Sequence, residues 1–437
     1  MKQLSSLQNL KLAFTYLTKF QKTNNFPYVS ANRCRQYQFD KIKKLLNVAY
    51  YHTDFYRAKY DKAGIKPQDI RSLDDFAHVP TLTKQELIEF NRQFIDKRVD
   101  PKKLICSRTS GSSGQFVELF LSPNMFIEEE MQVLRMIKHY NQGFGAKDRE
   151  VLVYTSEYPV QSILGYYPVY YVNNLLPAEQ ILNKITEIRP KVIAIYPSIL
   201  REIVNLVGNN LQNVGIETII TNSEGSTQME RDYFADVLKC DVFDEFSSEE
   251  LQSIFQQCKH KNYHEVTDCT YIELLNETSD DAVEIGQMGE IVGTCLINTV
   301  MPIIRYRSGD FARESTQKCT CGQHGRVFED IIGRKNSSLR KEDGTLIPSG
   351  RVLDWTYSLV LQHDLDIKEF QIIQKSLHEI DVKLVVGKGY RINTDNQFFV
   401  DNFKQHIGDE FILTVSILDK IPKTPAGKHI PIISHVV

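Results

Sequence analysis

Residues able to do chemistry gather in a few short stretches of this 437-residue chain. The first is "SRTSGSSGQF", Ser107 to Phe116, a small, polar run between the apolar "KLICS" and the alternating "FVELFL". Its amides and hydroxyls could cradle an anion. The common phosphate loop, GxxxxGK[S/T], requires a lysine, but Gln115 follows Gly114, so that motif fails. Taken alone, the run is equally a hairpin turn. Further stretches follow in order: "FDEFSSEE" (243–250), "IIRYRSGD" (303–310), "IIGRKNSSLRKEDGTLIPSG" (331–350) and "IPKTPAGKH" (421–429). Each has an ordinary reading by itself: Asp310 after Gly309 suits a turn, and Lys428 suits a solvated surface. "QCKHKNYH" and "KCTCG" add Cys258, His260, His264, Cys319 and Cys321, although CxC is not the usual zinc-knuckle spacing.

The elements that must position these residues are legible in outline. The first hundred residues are largely helical in pattern. Leu7, Leu10, Phe14 and Leu17 recur at helical spacing, and Thr83 with Glu86 forms a capping box in "VPTLTKQELIEF". Around the Ser107–Phe116 run, the pattern reads strand, loop, strand. Ser122 and Pro123 then open a long helix that can bury Met125, Phe126, Met131, Leu134 and Ile137. Between 150 and 220, "EVLVYT", "VIAIY" and "ETIIT" alternate with "AEQILNKITEI" and "SILREIVNLV", the pattern of a largely parallel sheet. Beyond 335, "EFQIIQ", "HEIDVKLVV", a helix near 394–407 and "FILTVSIL" suggest a small α+β unit.

Hydrophobic and charged fractions of 42% and 24% supply a substantial core and fit a soluble globular protein of two or three domains. A formal charge of -3 argues against generic nucleic-acid or membrane-surface binding. No apolar run reaches the ~20 residues of a membrane span. The N-terminal segment lacks a cleavage site and reads as an amphipathic helix, so a cytoplasmic location is expected. Scattered cysteines do not form a disulfide framework.

With "TSGSSG", the four later stretches resemble the ordered core motifs of the adenylate-forming superfamily of acyl-CoA synthetases and adenylation domains. "LINTVMPIIRYRSGD", "IYPSIL" and "VPTLTK" are most similar to the phenylacetate-CoA ligase and CapK-like branch. The resemblance runs from about residue 30 to the C-terminus. It implies an α/β fold with a large N-terminal domain of several subdomains (1–333) and a small mobile α+β lid (334–437). It also implies ATP-dependent conversion of a carboxylic acid, an aryl or other small organic acid, to an acyl-adenylate, then transfer to a thiol, CoA foremost. Thr109, Ser110, Gly111, Ser112, Ser113 and Gly114 would hold the β- and γ-phosphates. Lys428 would supply the missing positive charge at the carboxylate and α-phosphate. Phe246 would stack on adenine, Ser223, Glu224 and Gly225 would line its edge, and Asp310 would bind the ribose hydroxyls. Glu250 would hold Mg²⁺, with Glu249 next in register. Arg334 would sit near ribose and phosphate, and Asn336 at the hinge.

The same resemblance groups Cys258, His264, Cys319 and Cys321 as a structural Zn²⁺ site, with His260 in reserve. Homodimerisation is expected by analogy only. Gln115, Ser247 and Asn336 depart from the usual lysine, glycine and acidic hinge residue, yet none removes an essential charge. Rival readings are transfer to a carrier protein, amine or hydroxyl, AMP transfer onto a cofactor, and a non-catalytic nucleotide-binding paralogue. Retention of Lys428, Glu250 and Asp310 argues against the last.

Overall fold

The computed structural model describes residues 3–108, 117–207, 214–332, 338–347, 349–363, 365–424 and 428–436. The N-terminal hundred residues form α1 (Ser6–Asn25), α2 (Ala31–His52), α3 (Asp54–Ala63) and the short α4 (Leu73–Phe76) and α5 (Lys84–Glu89). The expected capping box opens α5: the Glu86 amide donates to Thr83 Oγ1 (3.2 Å), and the Thr83 amide donates to Glu86 Oε2 (2.9 Å). In α1 the burial differs from the simplest expectation. Leu12, Ala13 and Thr15 face the protein, while Leu7, Leu10, Phe14 and Leu17 face outward. The helix has apolar side chains on both sides, and the face bearing Leu12 and Ala13 joins the core with the next long helix.

β1 (Ile105–Arg108) and β2 (Glu118–Leu121) pair antiparallel, so the Ser107–Phe116 stretch does bridge a hairpin whose last described rung is Arg108 with Glu118. Ser122 caps α6 (Pro123–Tyr140), its Oγ accepting from the Met125 amide at 3.2 Å. The five apolar residues expected on its inner face are all buried.

The strands β3 (Glu150–Tyr154), β4 (Val169–Asn173), β5 (Val192–Ile195) and β6 (Thr218–Thr221) pair in parallel in the order β4-β3-β5-β6. Crossovers use α7 (Ala178–Ile188), α8 (Pro197–Val207) and α9 (Gln228–Leu238). β5 and β6 are buried at every position, which explains their unbroken β-branched runs. β7 (Asp241–Ser248) is the joint of the sheet, parallel to β6 on one side and antiparallel to β8 (Gln252–Gln257) on the other. β9 (Tyr263–Glu265), β10 (Thr270–Leu275), β11 (Met288–Cys295), β12 (Tyr306–Glu314) and β13 (Val327–Ile332) complete an antiparallel half in the order β8-β9-β13-β12-β11-β10.

Beyond residue 338 come the short pair β14 (Leu339–Arg340) and β15 (Leu346–Ile347), then α10 (Ser349–Gln362), a helix not foreseen from the sequence. β16 (Ile367–Gln374), β17 (Glu379–Val386), α11 (Ile392–His406), β18 (Ile412–Ile417) and β19 (Ile432–Ser434) follow. The four strands form a separate sheet, β18-β17-β16-β19, with its own apolar core around Trp355, Phe370, Phe399 and Phe403. The architecture is the expected α/β arrangement with a small α+β unit at the C-terminus.

Candidate active site

The parallel strands end at one edge, and their carboxyl ends build the site. Tyr154 ends β3, Tyr196 directly follows β5, and Ser223–Gly225 follow β6. Ser223 adopts φ +65° and shares hydrogen bonds with the phenols of Tyr154 and Tyr196. Burial raises both phenols above their ordinary range, so they remain neutral hydrogen-bonding groups.

Glu224 ties this edge to the small unit. Its carboxyl accepts from the Ser198 amide (3.0 Å) and hydroxyl (3.1 Å) at the start of α8, and from the His429 amide (2.6 Å). Burial raises the Glu224 carboxyl above its usual range, against the opposing pull of these hydrogen bonds. His429 itself is buried and pushed down to about 3 by desolvation, so it is neutral, with Nε2 2.9 Å from the Phe370 carbonyl. Further ties are Lys423 with Glu202, and Arg201 of α8, itself paired with Glu230 of α9, with Tyr357 of α10.

These ties bring Lys428 over the site. Its backbone closes on Thr424, with the Thr424 amide donating to the Lys428 carbonyl (2.9 Å) and the Lys428 amide to Thr424 Oγ1 (3.0 Å). Lys428 Nζ lies 5.9 Å from the centre of the Tyr196 ring. Its charge also acts on Glu249. Glu249 Oε2 accepts from Ser107 Oγ at 2.8 Å, joining the end of β7 to the β1–β2 hairpin. The Glu249 side chain is exposed at its tip but surrounded by protein at longer range. That enclosure raises its carboxyl, with Glu250 adding to the effect while Ser107 and Lys428 oppose it.

The expected residues therefore separate into groups. Lys428, Ser223, Glu224 and Gly225 converge with Glu249. Glu250 points the other way: it is buried, and Oε1 accepts from Tyr306 OH at 3.3 Å. Phe246 is half-buried and stacks on Phe255, ring centres 5.9 Å apart. Asp310 lies half-buried on β12 after Gly309 (φ +76°), its amide donating to Ser308 Oγ at 3.1 Å. Thr109–Gly114, Arg334 and Asn336 lie outside the described residues. Ser107, Tyr154, Tyr196 and Ser198 were not singled out from the sequence. Their signal was position, at or just beyond the ends of strands, with "YP" marking the break into α8.

A second cluster stands at the far end of the β7–β8 hairpin. Ligand atoms of Cys258, His264, Cys319 and Cys321 all lie within 4.8 Å of one another. Cys258 Sγ is 3.6 Å from Cys319 Sγ, and Cys321 Sγ is 3.4 Å from His264 Nε2. The His260 amide, the Gln323 amide and Asn262 Nδ2 point at the three sulfurs at 3.3–3.4 Å. Three thiols and one imidazole in this compact set, with N–H groups aimed at sulfur, fit a tetrahedral Zn²⁺. His260 stays on the exposed rim, its Nδ1 4.0 Å from Cys319 Sγ. The same loop anchors the N-terminal region, where the His324 amide donates to the Pro27 carbonyl at 2.9 Å.

A parallel sheet with this edge, an antiparallel extension and a C-terminal α+β unit is the fold of adenylate-forming CoA ligases. A 2-hydroxyisobutyryl-CoA ligase in the postadenylation state with 2-HIB-AMP has a TM-score of 0.78 at 17% identity, covering 93% of this chain and 90% of that one. That ligase with 2-HIB-AMP and CoA in the thioesterification state has a TM-score of 0.63 at 18% identity, covering 94% and 91%. The resemblance to the phenylacetate-CoA ligase and CapK branch holds in sequence as well. Residues 341–435 match the family described as the CapK C-terminal domain. The phenylacetate-coenzyme A ligase of Thermus thermophilus is 22% identical over 432 residues, spanning 91% of this chain and 95% of the relative. Protein CapK of Staphylococcus aureus is 21% identical over 412 residues, spanning 90% and 87%.

Proposed function

We propose that this protein joins a carboxylic acid to a thiol at the expense of ATP, through an acyl-adenylate. The observation that carries the reading is Lys428, held by the Glu224–His429 tie above the carboxyl ends of the parallel strands and beside Glu249. In the first step a carboxylate oxygen of the acid bonds to the α-phosphorus of ATP, the bond to the β-phosphate bridging oxygen breaks, and pyrophosphate leaves. Two anions must meet, so fixed positive charge is needed where they approach. Lys428 supplies it, and a flexible ammonium can be withdrawn afterwards. In the second step the thiol sulfur bonds to the acyl carbon, AMP leaves, and the thiol proton passes to a base or solvent.

Thr109–Gly114 are assigned to the outer phosphates, Asp310 to the ribose, Phe246 and Ser223–Gly225 to the adenine, and Arg334 to the ribose and phosphates. Mg²⁺ would neutralise phosphate charge, and oxygen donors suit it. Of the two glutamates, Glu249 is exposed beside Ser107 and is the better placed ligand, with Glu250 buried behind it. We assign the boundary between the two domains to 333/334 and the hinge to Asn336. The higher TM-score to the postadenylation state supports reading the present arrangement as the one that serves adenylation. The acid is assigned to the aryl and small organic acids, since relatives include phenylacetate-CoA ligases, and the acceptor to CoA.

The test is ATP–pyrophosphate exchange without thiol, across aryl, hydroxyaryl, short-chain and amino acids. Lys428→Ala should lower exchange with the preferred acid by about 10²–10³-fold while ATP binding persists. Exchange unchanged in Lys428→Ala would overturn the assignment. Silence of the native protein across all acids, despite ATP binding, would point to AMP transfer or a non-catalytic role.

A further inference from the structure

Among the described residues, nothing covers the outward face of α1. Leu7, Leu10, Phe14 and Leu17 are 78%, 61%, 66% and 80% exposed, on a helix whose opposite side is packed into the protein. At 100° per residue they share an arc of about 80°. Together they expose on the order of 500 Å² of apolar surface, a size that marks an interaction site. α1 contains Lys11, Lys19 and Lys22, all exposed, and no aspartate or glutamate. Lys11 and Lys22 fall beside the edge of the apolar arc, with Lys11 Nζ 2.8 Å from Asn124 Oδ1.

A neighbouring turn reaches the N-terminal end of α1. The Leu4 amide donates to the Pro159 carbonyl (3.2 Å), and Leu164 lines a shallow cavity with Gln3, Leu4 and Asn9. Leu164 and Tyr166 are each 56% exposed at the tip of a tight turn, closed by Ile163–Tyr166 backbone hydrogen bonds of 2.8 and 3.1 Å. Leu164 is in the left-handed region at φ +52°, unfavourable for a leucine unless the turn is held by its surroundings. Glu157 is an acid at this end, its Oε2 3.4 Å from Gln3 Nε2.

We propose that the outer face of α1, with the Leu164–Tyr166 turn, docks onto an anionic lipid bilayer surface. An apolar stripe of leucine and phenylalanine bordered along one edge by lysines is the composition of a helix lying in the plane of a membrane interface. The charge argues for lipid over a second copy of this chain. Pairing two α1 helices would leave these lysines with no acid on the partner helix to bridge them. The near-neutral charge of the whole chain does not oppose this, because the lysines are concentrated on one helix. The attachment is peripheral: among the described residues, no helix is long and apolar enough to cross a membrane.

The test is co-flotation of the full-length protein with vesicles of phosphatidylcholine containing about 30% phosphatidylglycerol, against phosphatidylcholine alone. Retention should be much stronger on the anionic vesicles and fall with salt. Leu10→Ser and Phe14→Ser should each weaken binding at least about tenfold. Lys11→Glu with Lys22→Glu, which leaves the stripe intact, should cost about fivefold or more per lysine on anionic vesicles only. The substituted side chains are exposed, so melting temperature and pyrophosphate exchange in solution should not move. No retention on either vesicle would overturn the proposal. So would a concentration-dependent dimer abolished by Leu10→Ser and Phe14→Ser, which would assign the face to a second copy.

Discussion

Removing the Glu224 carboxyl should slow one half-reaction and spare the other. The His429 amide donates to it at 2.6 Å, one residue from Lys428, while Ser198 holds it from the large unit. A hydrogen bond of this kind is worth roughly 1.5–3 kcal/mol. Lost from the lysine-in arrangement alone, that shifts its population about 10–150-fold. Glu224→Ala should therefore lower acid-dependent ATP–pyrophosphate exchange by up to that factor. Thioester formation from a saturating supply of acyl-adenylate, which needs the lysine withdrawn, should be unchanged or faster. Glu224→Gln keeps an oxygen that can accept from His429, so it should stay within about fivefold of native exchange. The two assays run on the same preparations, with thermal melts to confirm folding. If Glu224→Ala depresses both half-reactions equally, or leaves exchange untouched, the tie does not hold the lysine and the reasoning fails.

Purified protein should contain one Zn²⁺ per chain by elemental analysis. Cys319→Ser with Cys321→Ser should lose it and melt several degrees lower, yet retain exchange at low temperature, because Cys258 lies at the opposite end of β8 from Glu249. Metal-free native protein whose melting ignores a chelator would sink that assignment. Glu150 is buried at the start of β3, and desolvation pushes its carboxyl up to about 8. Its folded value exceeds the unfolded one, so its contribution to stability is full below about pH 4.5 and is lost as pH rises through 8. Glu150→Gln should match the native melting temperature near pH 5 and exceed it at pH 9, a gain on the order of 4 kcal/mol at most; equal melting at both pH values would show the carboxyl is not desolvated.

Much of the fold was legible because its signals are local. "EVLVY", "VIAI" and "TIIT" read as buried parallel strands since both faces are covered, and Ser122 with Pro123 specified the start of α6 through hydrogen bonding and fixed φ. α10 escaped notice: its start lies in "LIPSG", where proline and glycine read as punctuation.

The site was legible as a set of residues and not as an arrangement. The sequence and its family resemblance supplied the candidates: the lysine in "PAGK", the carboxylates in "SSEE", and three cysteines and a histidine of the right chemistry for zinc. Tertiary structure decided which of them meet. Glu249 and Glu250 are neighbours in sequence, but the β7–β8 turn sends one to Ser107 and the other to Tyr306. His429 reaches Glu224 across 205 positions, and Cys258 reaches Cys319 across 61, distances over which no periodicity carries information. The two sides of α1 show the same limit. Helical spacing marks Leu7, Leu10, Phe14 and Leu17 as one face, but only packing against α6 decided that the other face, with Leu12 and Ala13, would be buried. Local propensity and pattern act within a few residues, whereas burial and charge contact depend on what the rest of the chain brings alongside.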